Sequence, residues 1–234
     1  MKQELNFYDE DGRLKSKESF LKEVEQIYNE ITTEEKASSF DSFATDLIDT
    51  ERTLKSYNFS DRIIYLNKEI TEETGSEIFN IIHFYNKVDN LDNIEKENRE
   101  PIKIIIDTPG GNLTSAFTII DAIKMSKTPI YTITIGCGYS AGFFIGISGH
   151  KRYGLLNSSY LFHQGSSCWA ADANNFIQHT EFYQKILSKL KDFTLSQTNI
   201  TEQEYKNYMS GDWWLTADEA KEKGVIDQII TEMF

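Results

Sequence analysis

Between Lys127 and His150 the chain carries no charged side chain, and the stretch TPIYTITIGCGYSAGFFIGISG has only two ways to be buried. One is to cross a bilayer as a single helix, a reading favoured by the G-x-x-x-G spacing of Gly138, Gly142 and Gly146. Its first part argues the other way. Ile130, Thr132 and Thr134 alternate with Tyr131, Ile133 and Ile135, and β-branched residues in such alternation predict a strand. The remainder, residues 138–148, is too short to span a membrane. The segment therefore reads as a buried strand, a glycine turn containing Ser140, and a tightly packed helix.

The sequence around it supplies the layers that would bury such a strand. "RIIYL" is a short apolar strand, residues 71–86 carry Ile78, Ile81, Ile82 and Tyr85 at helical spacing, and "IKIIID" is a second buried strand. "TPGGN" turns the chain into a helix over 113–125. After the central strand, "YLFH" is strand-like and ends at His163. A long amphipathic helix over 173–194 then projects Phe176, Phe182, Ile186, Leu190 and Phe193. Thr216 to Glu219 form a capping box, Gly224 suits a C-cap, and "VIDQII" closes as a strand. Strands separated by crossover helices predict a parallel α/β layer structure. Ahead of it, Phe20, Leu21, Val24, Ile27, Tyr28 and Ile31 recur at helical spacing and a second helix is expected over 40–54. The expected division is a helical extension over 1–53 and a main domain over 54–234.

Composition narrows the function classes. Of 234 residues 39% are apolar and 13% aromatic, enough for one sizeable core. The formal net charge of -13 disfavours passive attraction to nucleic acid or anionic lipid. Cys137 and Cys168 alone are too few and too far apart for a disulfide framework or a cysteine-based zinc site, so a reducing cytoplasm is expected. The first residues lack the apolar core of a signal peptide.

Gly138-Tyr-Ser140-Ala-Gly142 fits G-x-S-x-G, so Ser140 is either a nucleophile or a small residue where backbones pack closely. Acyl transfer needs a nucleophile, a base, a group orienting the base, and backbone N–H donors for the oxyanion. A serine where a strand meets a helix has helix N–H groups aimed at it, Ala141 first. The glycines of "DTPGGN" allow close backbone approach, and Gly111 is the second candidate donor. Two such turns on adjacent parallel strands meet at the carboxyl edge of the sheet. Among the histidines, His83 and His179 lie on helices and His150 suits a solvated turn beside Lys151 and Arg152. His163 ends an apolar strand before a polar loop, and is either the base or a strand-end residue. No histidine follows His179, which does not suit the late histidine of an α/β-hydrolase.

"IIIDTPGGNLTSAFTIIDAI", "IGCGYSAGFFIGISGHKRYGLLNSSYLFHQ" and "WWLTADEAKEKGVIDQII" together resemble ClpP, the proteolytic subunit family of the Clp proteases, over residues 57–230. The resemblance implies a ClpP/crotonase-like spiral of ββα units with a protruding handle helix, here 173–194, and the N-terminal helical extension as an addition. It implies Ser140 as nucleophile, His163 as general base, and Gly111 and Ala141 as oxyanion donors, with no metal or organic cofactor. It further implies a homo-oligomer of stacked rings enclosing a chamber, polypeptide as substrate, and an AAA+ unfoldase as the partner that would use ATP. An ungapped alignment puts Tyr208, beside Asn207, where the family has its catalytic aspartate. Asp212 is the nearest carboxylate and the expected third member, with Asn207 as the alternative. Asp107 stands where the family usually has asparagine, and the extension is unlike the family's short axial loop.

The expectation is thus a cytoplasmic, oligomeric ClpP-like serine endopeptidase, without nucleic acid or membrane as partner. A non-catalytic ClpP-like scaffold or regulatory subunit is the first alternative, and a crotonase-type acyl-CoA enzyme the second.

Overall fold

A parallel strand covered on both faces must be apolar along its whole length rather than at alternate positions. "IKIIID" meets that demand. In the computed structural model, which describes residues 61–165, 170, 172–208 and 211–232, β2 (Ile102–Thr108) has Ile102, Ile104, Ile105, Ile106 and Thr108 all buried. It lies between β1 (Ile63–Leu66) and β3 (Ile130–Tyr139), parallel to both. The expected extension over 1–53 lies outside the described residues.

The helices between these strands start at caps written in the sequence. Thr71 accepts from Thr74 N–H at the start of α1 (Glu72–Leu91), and Asn112 accepts from Ser115 N–H at the start of α2 (Leu113–Met125). The two helices pack closely, for a Cβ on Gly75 would lie 3.0 Å from Ser115 Cβ. Their inner faces, Ile78, Ile82 and Tyr85 with Ala116, Ile119 and Ile123, cover the sheet.

The uncharged run is β3 followed by the short α3 (Ala141–Gly146). Among the described residues no helix is long and apolar enough to cross a membrane. β3 is the strand on which the sheet divides. Its residues Tyr131 to Thr134 pair with β4 (Lys151–Leu155), whereas Cys137 to Tyr139 pair with β5 (Ser159–Phe162). The main path runs β1-β2-β3-β4 and ends at β7 (Gln228–Ile230), all parallel. The other branch continues from β5 to an antiparallel partner, β6 (Trp213–Thr216). Opposite the fork the β2–β3 register slips, with Ile106 facing Thr134 but Thr108 facing Gly138. Asp107 fills the irregularity, accepting from Cys137 N–H at 2.9 Å. Its carboxylate lies over Gly136, where a Cβ would come within 2.3 Å of Oδ1.

The long helix is α4 (Ala173–Gln197), followed by α5 (Glu202–Tyr208) and by α6 (Ala217–Glu222) after β6. α4 protrudes. Of its residues only Leu190 and Thr194 are buried, while Phe176, Ile177 and Phe182 are half exposed or more. Its far end is clamped to the domain by Arg152, whose guanidinium donates to Gln197 O and Gly224 O and pairs with Asp227. The capping box at Thr216 and Glu219 is present.

Two local expectations change, and two strands were not anticipated. His150 does not sit in a free turn: its N–H donates to Ile130 O at 2.8 Å and its Nδ1 accepts from Ile130 N–H at 3.0 Å, leading into β4. Burial first, and nearby Lys124 next, hold it below the ordinary histidine range. "VIDQII" is strand only over Gln228–Ile230, because Val225 and Ile226 are core residues of the preceding turn. "KRYGL" is a strand without an apolar-run signature, and the apolar "WWLT" is a strand of only four residues; both are fixed by their partners.

One ion pair ties the near edge together. Asp89, fully buried on α1, receives Arg62 at 2.5 Å from the start of β1 and Thr128 Oγ1–H at 2.5 Å from the approach to β3. Burial alone would raise the Asp89 carboxyl; its bonds from Arg62 and Thr128 outweigh that and hold it below the usual range. Asp89→Ala leaves the Arg62 charge part-buried and unpaired, and is expected to cost about 3 kcal/mol in denaturant unfolding. The deficit should be full above the ordinary carboxylate range and shrink as pH falls through the lowered value of Asp89, where the wild type loses the same pair.

Candidate active site

β3 ends by delivering Ser140 in a conformation that an L-residue rarely adopts, φ 55° and ψ −118°. The turn is held by Ser140 N–H donating to Leu161 O of β5 at 2.9 Å. A serine at a helix N-cap ordinarily spends its hydroxyl on the first-turn amides. Ser140 makes no such bond; its Oγ lies 2.7 Å from His163 Nε2. His163 follows the last residue of β5, so the pairing of β3 with β5 is what brings Ser140 and His163 together.

The place of Asp212 follows from register. β5 and β6 pair antiparallel with Leu161 opposite Trp214 and Phe162 opposite Trp213. One further step sets Asp212 opposite His163, and directly opposed residues have Cβ atoms about 5 Å apart. The observed Nδ1 to Oδ1 distance is 3.6 Å, an ion-pair separation longer than a hydrogen bond, and the Asp212 side chain is 54% exposed. Asn207 is elsewhere. It lies on α5 with its amide oxygen accepting from Gln203 at 2.8 Å, and among the described residues it has no bond to His163.

The second turn is pinned alongside. Ile70 N–H donates to Gly110 O at 2.8 Å and Asn112 N–H to Ile70 O at 2.7 Å, a parallel bridge in which Gly111 N–H points away from Ile70. Thr108 Oγ1 bonds Lys68 O and receives Gly110 N–H, fixing the bend. Both glycines have positive φ, 101° for Gly110 and 143° for Gly111. A Cβ on Gly110 would lie 2.7 Å from Tyr139 O and 2.8 Å from Ser140 Cβ, so the two turns touch backbone to backbone. Among the described residues neither Gly111 N–H nor Ala141 N–H has a hydrogen-bond partner, the latter being the first amide of α3. Sequence reasoning named Gly111 and missed Gly110, whose signal was its place in the same Pro-Gly-Gly turn.

Cys137, the thiol nearest in sequence, is pushed up to about 11 by burial and then by its bond to Asp107, which keeps it protonated and unreactive at neutral pH. Among the described residues no three His, Cys, Asp or Glu side chains converge as a metal site.

A seven-stranded mixed sheet with a protruding helix, and a serine–histidine pair at its fork, define an α/β fold of the Clp type. The family model described as Clp protease matches residues 48–233, and the chain belongs to that family. It is similar to the ATP-dependent Clp protease proteolytic subunit 2 of Treponema pallidum (strain Nichols), 35% identical over 133 residues, or 56% of this chain and 67% of that protein.

Because Gly110 combines positive φ with contact to the Ser140 turn, Gly110→Ala is expected to displace Oγ from His163. Reaction of Ser140 with a fluorophosphonate, followed by intact mass, should slow by about a hundredfold while circular dichroism stays native.

Proposed function

We propose that the chain is a ClpP-like serine endopeptidase that cleaves polypeptides through an acyl-enzyme at Ser140. The observation that carries this reading is the 2.7 Å contact between His163 Nε2 and an Oγ that is free of capping duty. Nε2 takes the hydroxyl proton as Oγ attacks the peptide carbonyl, and the oxyanion accepts from Gly111 and Ala141 N–H. The tetrahedral intermediate collapses as Nε2–H protonates the leaving amine. Water, deprotonated by the same nitrogen, then releases the acyl group. Asp212 faces Nδ1 and keeps that nitrogen protonated, so that Nε2 is the basic one. Its 3.6 Å separation suits a free enzyme whose catalytic contacts tighten with substrate.

The assembly in this reading is a homo-oligomer of stacked rings around a chamber, with α4 as the joining element. Its Phe176, Ile177 and Phe182 are exposed apolar side chains that nothing covers among the described residues. An AAA+ unfoldase would feed the chamber and use ATP, consistent with the relative's name as a subunit of an ATP-dependent protease. The cysteine usage suits the cytoplasm.

The decisive experiment is fluorophosphonate labelling read by intact mass. Labelling is expected in wild type, absent in Ser140→Ala, slowed by up to about 10⁴ in Asp212→Ala, and unchanged in Asn207→Ala. Wild type that fails to label as an assembled particle favours the scaffold subunit, to which the exposure of Asp212 already points. Phe176→Ser with Phe182→Ser should shift sedimentation toward smaller species, leaving the circular dichroism of the chain unchanged.

A further inference from the structure

Asp212 stands one residue outside β6 with its side chain 54% exposed, where strand pairing alone does not fix a carboxylate. Two contacts close the chain around it. Before it, Gly211 N–H donates to Tyr208 O at 3.2 Å. After it, Trp213 is 7% exposed and paired opposite Phe162, so its indole is held by the core. The Tyr208 ring lies flat on that indole, centroids 4.0 Å apart and planes 11° apart. The ring stack therefore ties the end of α5 to the start of β6. A residue beside such a tie loses most of the freedom that would carry it away from His163. Tyr208 keeps 42% of its surface in water, and among the described residues its hydroxyl has no hydrogen bond. The stacking face is what the fold uses, since the oxygen has no partner there.

We infer that Tyr208 is a positioning residue for the reaction: its ring, seated on Trp213, ties α5 to β6 so that Asp212, next to Trp213, stays opposite His163. This rests on the assignment of Ser140, His163 and Asp212 proposed above. It assigns to an aromatic ring the work of keeping an otherwise loose carboxylate within reach of Nδ1.

The test is saturation kinetics of fluorophosphonate labelling on the full, assembled chain, in wild type, Tyr208→Ala, Tyr208→Phe, Asp212→Ala and the double variant Tyr208→Ala/Asp212→Ala. The maximal labelling rate of Tyr208→Ala should fall about tenfold with the half-saturating probe concentration unchanged. Tyr208→Phe should restore the wild-type rate, and the double variant should be no slower than Asp212→Ala alone, because the ring acts only through the carboxylate. Should Tyr208→Ala not fold by circular dichroism, Tyr208→Leu replaces it in the same cycle. Wild-type kinetics in Tyr208→Ala, a Tyr208→Phe as slow as the alanine variant, or full additivity in the double variant each overturns the inference while leaving Ser140 as nucleophile. Wild type that does not label, or whose labelling survives Ser140→Ala, overturns the assignment of the site and this inference with it.

Discussion

The hydrogen bond from Cys137 N–H to Asp107 Oδ1 holds the place where the sheet divides, and the site depends on that division. β4 is only half as long as β3 and pairs with its first half, so the second half has a free edge that β5 joins. The slip between Ile106 and Thr108 falls opposite that change of neighbour. From that change follow the anchoring of Ser140 N–H on Leu161 O, the approach of His163, and the antiparallel partner that brings Asp212. An irregular ladder leaves backbone amides without strand partners, and each must be satisfied by something else. Asp107 does this for Cys137 with a carboxylate oxygen, while Gly136 gives up its side chain so that the carboxylate fits.

The strain at Ser140 is tolerated because its surroundings fix it from three sides. Its amide is bound to β5, its carbonyl accepts Phe143 N–H at 3.0 Å in α3, and Gly110 presses against it from the neighbouring turn. An unfavourable backbone conformation persists only where such contacts over-determine it. The result is a hydroxyl turned away from the helix it precedes. Phe143 and Phe144, packed with Phe162, anchor the other end of the same short helix in the core.

Much of this was legible in the sequence, and the boundary is physical. β2 and α2 were readable because apolar runs, the Asn112 cap and helical spacing are local signals, as is the capping box at Thr216. Ser140 and His163 were candidates from a turn motif and a strand end, yet only the family resemblance joined them. β4 and β6 escaped because "KRYGL" and "WWLT" become strands through partners distant in the chain. The Arg62–Asp89 pair, between residues 27 apart, has no local signature at all. That Asp212 rather than Asn207 lies opposite His163 follows from a strand register, and a register is a property of two segments at once.

The clamp at the end of α4 divides that helix into two parts with different dynamics. Around Leu190, Thr194 and Gln197 the backbone is tied through Arg152 to β4 and to the turn before β7, so opening there means breaking the sheet's own supports. Toward Phe176 and Phe182 the side chains are exposed among the described residues, and the amides there are expected to open by local fraying. In hydrogen-exchange terms the root is expected to follow the slow core and the tip to exchange faster. A single continuous helix thus carries an exposed tip on a base that is part of the framework holding Ser140 and His163.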